Sequence, residues 1–236
     1  MPAHGAMFGN TIYITISQDT ADVDLWNEAG QPTGVVNVVC YITNGAIVSG
    51  NPGMVIKNFA AGSTIKLIFS GGSYIVGRGG TGGKGGNAGG AAGSAGGKGG
   101  TALSITVPVS ISVIDGFIFG GGAGGKGGKG SSGLGAGGGG GGGGQGRPNA
   151  SGGAGGQAQF ASGDGDGGKP GNFGGGGQGG ASGGSDASVG GFGKNWGGYT
   201  VGEQAQSNAV DCNGQPTSII TWIDGYDSTH VKGKVS

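Results

Sequence analysis

Charge of either sign is scarce in this chain, and it cancels. Twelve Lys and Arg face twelve Asp and Glu in 236 residues, a formal net charge of zero at pH 7. That argues against nucleic acid as a partner, which needs a basic stripe, and against electrostatic attachment to a membrane. No apolar run approaches the roughly 18 residues that a bilayer-spanning helix needs. The N-terminus, MPAHGAMFGN, lacks the basic region and apolar core of a secretory signal. Proline is scarce: seven in all, three of them (Pro108, Pro148, Pro170) in the glycine-rich region, which excludes a collagen triple helix. Cys40 and Cys212 are the only cysteines. Cys40 lies in an apolar segment, where a free thiol behaves as a small hydrophobe, and the spacing leaves a disulfide open without implying one. His4 and His230 stand at opposite ends without a zinc-ligand pattern.

Glycine is present in great excess: 70 residues, 59 of them between Gly71 and Gly202. They fall in doublets separated by one small or polar residue, as in GGTGGKGG (79–86), GGKGG (96–100) and GGAGGKGGKG (121–130), and in an unbroken octet at 137–144. A period of three with two glycines per turn suits a polyproline-II-type helix, which has no internal hydrogen bonds. Its N–H and C=O groups point outward, and glycine lets neighbouring helices approach and bond to one another. A flexible Gly/Ser linker is the competing reading. A linker has no need of strict doublets and does not usually carry Phe160, Phe173, Phe192, Trp196 and Tyr199.

The flanks read as β-structure. TIYITIS (11–17) alternates with the period of a half-buried strand, and VVNVVCYI (35–42) is apolar enough for burial on both faces. AIVSG, MVIKNF and STIKLIFS continue the series, separated by glycine and Asn-Pro-Gly breaks, and DVDLW reads as a strand end and turn. An internal repeat follows: SYIVGRGGTGGKGG (73–86) is echoed by GFIFGGGAGGKGG (116–128), and each copy follows another β segment, STIKLIF or LSITVPVSISVI. Like segments of a repeat stack laterally. SIITWIDGYDSTHVKGKV closes the chain with a strand-like pattern. The expected fold is all-β flanks around a glycine-rich polyglycine-II helix bundle, with few or no α-helices. The expected divisions are an N-terminal β region at 1–76, a glycine-rich region at 77–202 with an inserted β segment at 101–119, and a C-terminal loop and closing strand at 203–236.

No chemistry-bearing motif stands out. Every doublet lysine is followed by glycine or proline, so no phosphate loop is formed, and no helix is placed to follow one. GDGDGG (163–168) offers Asp164 and Asp166 as half of a calcium loop without the terminal glutamate. Nucleophile and zinc-hydrolase patterns are missing. No catalytic residue, metal ligand or cofactor is expected. A recognition surface remains: Phe160, Phe173, Phe192, Trp196 and Tyr199 supply contact area on glycine-bounded turns, and Arg147, Asn149, Asp164, Lys194 and Asn195 supply a polar rim, with Asp166 beside them. The competing reading makes the aromatics small caps on the ends of the glycine rods.

Doublet runs, aromatic inserts and β-rich flanks together resemble the glycine-rich receptor-binding tips of tailed-bacteriophage tail fibres. The order, from TIYITIS through DLWNEAGQPTGVVNVVCYIT and a GSYIVG-type strand to a closing ITW, is also similar to siphophage tail proteins, and the twice-used strand fits that arrangement better than the T-even adhesins. The resemblance implies a polyglycine-II sandwich whose turns contact the host. It implies a non-enzymatic adhesin of the virion tail tip, made in the host cytoplasm. Its partners would be a bacterial surface receptor (outer-membrane protein, glycan or pilus) and other phage tail proteins, with a homotrimer admitted. A structural scaffold or antifreeze-type protein is the alternative, against which the irregular aromatic inserts argue. A glycan depolymerase comes third, since it needs paired carboxylates in a groove.

Overall fold

The structure, a computed structural model, describes residues 6–8, 11–132, 135–158, 163–200 and 203–236. The chain divides into two units: residues 1–76, 101–119 and 208–236 form one, and residues 77–100 and 120–207 form the other.

The first unit is mostly parallel β-sheet. Parallel strands need crossover connections, usually helices. Here the crossovers are other strands, so the chain coils as a solenoid of stacked rungs. One face is built from β2 (Thr11–Ile16), β4 (Asn37–Ile42), β6 (Thr64–Phe69), β9 (Val109–Ser112) and β12 (Ile220–Trp222), in that order, with β1 (Ala6–Phe8) added antiparallel at the outer edge of β2. Registers align like with like. Ile12, Val38, Ile65, Val109 and Ile220 form one inward ladder, and Ile14, Cys40, Leu67 and Ile111 form a second. All are buried, and each large one contributes about 1.5–3 kcal/mol by leaving water. The apolar reading of 35–42 is corrected here: Val39 and Tyr41 face outward and are only half-buried.

The second sheet holds β3 (Thr20–Asp24) and β5 (Ile47–Ile56) in the first two rungs. In later rungs the same course is split in two: β7 (Ser73–Gly77) with β8 (Leu103–Ile105), β10 (Gly116–Phe119) with β11 (Asn208–Asp211), and β13 (Val231–Lys232) with β14 (Lys234–Val235). The repeated strands pair in parallel register, Gly116 with Ser73 through Phe119 with Val76. Every rung is interrupted at this point. Rung one has a register shift between Ala21 and Val23. Rung two has Gly50-Asn51-Pro52-Gly53 within β5, where a Cβ on Gly53 would sit 2.8 Å from the Val76 carbonyl. Rung five has Gly233 at φ 126°. Rungs three and four open here into residues 78–102 and 120–207, so both glycine excursions leave the solenoid at equivalent places in adjacent rungs.

Helix is nearly absent among the described residues. A single turn, α1 (Leu25–Glu28), is capped by the Asp24 carboxylate, which accepts from Trp26 N at 3.1 Å and Asn27 N at 3.4 Å. No helix of the described residues is long and apolar enough to cross a membrane.

Candidate recognition surface

The glycine-rich unit has no sheet ladder and no helix among its described residues, yet its backbone is bonded throughout. It consists of straight segments, here called rods 1 to 8: 77–86, 91–100, 120–130, 137–144, 150–157, 163–171, 176–183 and 188–194. Bonds between rods recur every third residue. Gly80, Gly83 and Gly86 of rod 1 donate to Gly122, Gly125 and Gly128 of rod 3, each at 2.8 Å.

The octet, rod 4, lies at the centre. Gly138, Gly141 and Gly144 donate to Gly86, Gly83 and Gly80 of rod 1; Gly139 and Gly142 to Ser188 and Gly191 of rod 8; Gly140 and Gly143 to Asp166 and Lys169 of rod 6. Its carbonyls accept from Gly153 and Gly156 of rod 5, Gly177, Gly180 and Gly183 of rod 7, and Gly125 and Gly128 of rod 3. Rods 1, 3, 5, 6, 7 and 8 are therefore all its neighbours. They also bond to one another in a closed ring, in the order 1, 3, 8, 7, 6, 5. Rod 2 lies outside the ring, bonded to rods 1 and 3. An octet is required here because a rod with six neighbours has no outward face. A Cβ on Gly140 would meet the Gly153 carbonyl oxygen at 2.1 Å. Every third residue of the outer rods does face solvent, and the non-glycine residues Lys84, Lys98, Lys126 and Lys129 sit there.

Odd-numbered rods run one way and even-numbered rods the other. Residues 77, 100 and 120, through which the chain passes to and from the solenoid, therefore share one set of rod ends with turns 145–149, 172–175 and 195–198. Residues 87–90, 131–132, 135–136, 158 and 184–187 lie at the opposite ends.

This separates the residues singled out from sequence. Arg147, Asn149, Phe173, Lys194, Asn195 and Trp196 belong to the crossing end, and Tyr199 follows directly. Asp164 belongs to the opposite end, where its carboxylate accepts from Ala158 N at 2.7 Å. Phe160 lies outside the described residues. Phe192 is 65% exposed on the flank of rod 8, beside Val189 on the same outward face, and Tyr199 is 39% exposed. Phe173 and Trp196 instead pack edge-to-face, with centroids 5.4 Å apart. Asn195 Oδ1 accepts from Gly176 N at 3.4 Å.

Gln145 is the residue that sequence reasoning missed. It is 7% exposed; its Oε1 accepts from Trp196 N at 2.9 Å, and its Nε2 donates to the Phe173 carbonyl at 2.7 Å. One side chain thus ties three turns together. The available signal was its position as the first side chain after the octet. Gln145→Ala removes both of these hydrogen bonds and is expected to cost about 1–3 kcal/mol. Thermal unfolding of the variant checks this; an unchanged midpoint would mean the turns hold without the pin.

Reactive groups are few. Burial pushes the Cys40 thiol up to about 12, with Glu28 adding to the rise, and burial likewise raises Cys212. Both thiols are buried and unpaired with each other. Among the described residues no three His, Cys, Asp or Glu side chains converge to hold a metal.

A family model described as the phage tail fibre adhesin Gp38 matches residues 10–234. The chain belongs to that family. Accordingly the adhesin is a receptor-binding protein of the phage tail that attaches the virion to its host. No curated protein sequence matches it. Its fold is similar to a solved structure, the gp37–gp38 adhesin tip complex of the bacteriophage S16 long tail fibre. The TM-score is 0.51 at 19% identity, covering 95% of this chain and 82% of that one.

Proposed function

We propose that the adhesin's rod unit is a polyglycine-II bundle that carries the receptor contact, and that it works by binding, without catalysis. The observation that carries this is the six-neighbour ring around the octet, bonded every third residue. That period matches a three-residue helix without internal bonds. Such a bundle is a rigid platform on which the exposed side chains of the turns can vary.

The end opposite the crossings, with residues 87–90, 131–132, 135–136, 158 and 184–187, is proposed as the contact surface, and Asp164 is the member of the sequence-derived set that belongs there. Two features support this end. The crossing end gives up three of its rod termini to chain passing to the solenoid, and its Phe173 and Trp196 are spent on each other. A second reading keeps the crossing end, with Arg147, Asn149, Lys194 and Asn195 around Tyr199 and with Phe192 nearby. The exposure of Phe192 and Tyr199 favours it.

Replacing residues 158–162 by a Gly/Ser segment of equal length is expected to weaken attachment of purified protein to host cells at least tenfold, a loss of about 1.4 kcal/mol. Phe192→Ala with Tyr199→Ala should leave attachment within twofold. The reverse pattern would move the contact to the crossing end.

The S16 structure is a complex of gp38 with gp37. By likeness we propose a tail fibre protein as the partner of this chain, held by the solenoid unit. The same reading extends to an outer-membrane protein, glycan or pilus as receptor, to synthesis in the host cytoplasm, and to a homotrimer as an admitted state.

A further inference from the structure

Neutrality of the whole chain is an average over two oppositely charged units. Residues 77–100 and 120–207 carry eight Lys and Arg against four Asp and Glu, a net +4; the solenoid unit carries four against eight, a net −4. Within the rod unit the basic residues gather mainly on one side. Lys84 on rod 1, Lys98 on rod 2 and Lys126 and Lys129 on rod 3 are exposed at outward positions of three mutually bonded rods. Asp164 and Asp166 stand on rod 6, where the exposed Lys169 offsets one of them, and Asp186 stands in the turn between rods 7 and 8. In the ring, rod 6 is opposite rod 3 and rod 7 is opposite rod 1. Glu203 is the one acid on the basic side, 3.4 Å from Lys126. Outward positions do not demand lysine: rod 5 fills them with Ser151, Ala154 and Gln157, and rod 7 uses Gln178 and Ala181.

We propose that the ridge formed by rods 1, 2 and 3 is a second contact surface of the adhesin, which binds the phosphate groups of the host's outer-surface glycolipid. The proposal rests on the adhesin reading and on no choice between the two rod ends. Hydrated, exposed ammonium groups bind phosphate weakly and reversibly, with little geometric demand. Their contribution is to encounter: a field of one sign raises association rates by about 10 to 10³ at low salt and is lost as the Debye length shrinks. The ridge thus holds the adhesin at the cell surface while its turns find the receptor.

The test is the charge-reversed triple variant Lys84→Glu, Lys98→Glu, Lys129→Glu in the full chain. Lys126 is left in place to keep its pair with Glu203. Two readouts are taken at low salt and at 0.5 M: association rate on host cells, and capture on vesicles containing lipopolysaccharide, phosphorylated or enzymatically dephosphorylated. The parent is expected to be captured by phosphorylated vesicles only, and only at low salt. The variant should lose that capture and associate with cells about tenfold more slowly at low salt, matching the parent at 0.5 M. Equal capture on both vesicle types, or no capture by the parent, would overturn the ridge even with cell attachment intact. A parent that fails to attach to host cells in either salt would instead remove the adhesin reading. Lys84→Gln, Lys98→Gln, Lys129→Gln, which keeps polarity, guards against a folding artefact by giving an intermediate rate.

Discussion

Gly140→Ala is expected to unfold the rod unit while leaving the solenoid folded. The added Cβ would lie 2.1 Å from the Gly153 carbonyl oxygen and 2.8 Å from that of Ala154. Both obstacles are backbone, so no rotamer relieves the clash. Overpacking a core with side chains usually costs about 1–3 kcal/mol; here the top of that range or more is expected. Rod 4 cannot shift away, because Gly140 itself donates to Asp166 at 2.8 Å and accepts from Gly180 at 2.7 Å on other sides. Lys98→Ala, at an outward position of rod 2, should stay within about 0.5 kcal/mol. Two-step thermal unfolding, followed through Trp196 in the rod unit and through β-sheet signal from the solenoid, separates the effects. Similar midpoints for the two variants would argue against a close-packed centre.

The second large effect concerns excision. Both glycine excursions leave the solenoid where rung two closes with Gly50-Asn51-Pro52-Gly53. Replacing residues 78–100 and 120–207 with that four-residue closure should leave a folded solenoid, since the ladders through Leu67, Ile75 and Leu103 lie wholly within it. Attachment to host cells should fall to background. A folded, excised chain that still attaches at the parental level would place the receptor contact on the solenoid.

Local pattern was legible in the sequence where a period of two or three decides burial. The alternation of TIYITIS is the burial pattern of β2, and the repeat at 73 and 116 is a parallel pair in register. Partition between sheets was not legible. LSITVPVSISVI reads as one segment, yet Thr106-Val107-Pro108 splits it into β8 and β9 on different sheets, because Pro108 has no N–H to continue a ladder. AIVSG and MVIKNF read as two segments and fold as the single strand β5 across a kink. The short helix α1 was missed because its signal is one capping aspartate before four residues.

The recognition surface was less legible still. Glycine doublets mark rods, but which rod lies beside which depends on bonds between residues at separations from about ten to more than sixty, such as Gly153 with Gly141 and Gly80 with Gly144. Aromatics on turns read alike whether exposed, as Phe192, or packed, as Phe173 against Trp196. The octet contained more information than its composition showed, since only a rod without an outward face needs glycine at every position.

Residue-resolved amide hydrogen exchange on the intact adhesin tests that arrangement most directly. Every N–H from Gly137 to Gly144 is donated to another rod, whereas outward residues such as Ala92 and Ala154 have no inter-rod donor bond among the described residues. The octet is expected to exchange most slowly in the rod unit, at a rate set by opening of the whole bundle. Exchange of 137–144 as fast as that of the outward residues would contradict a central rod held by six neighbours.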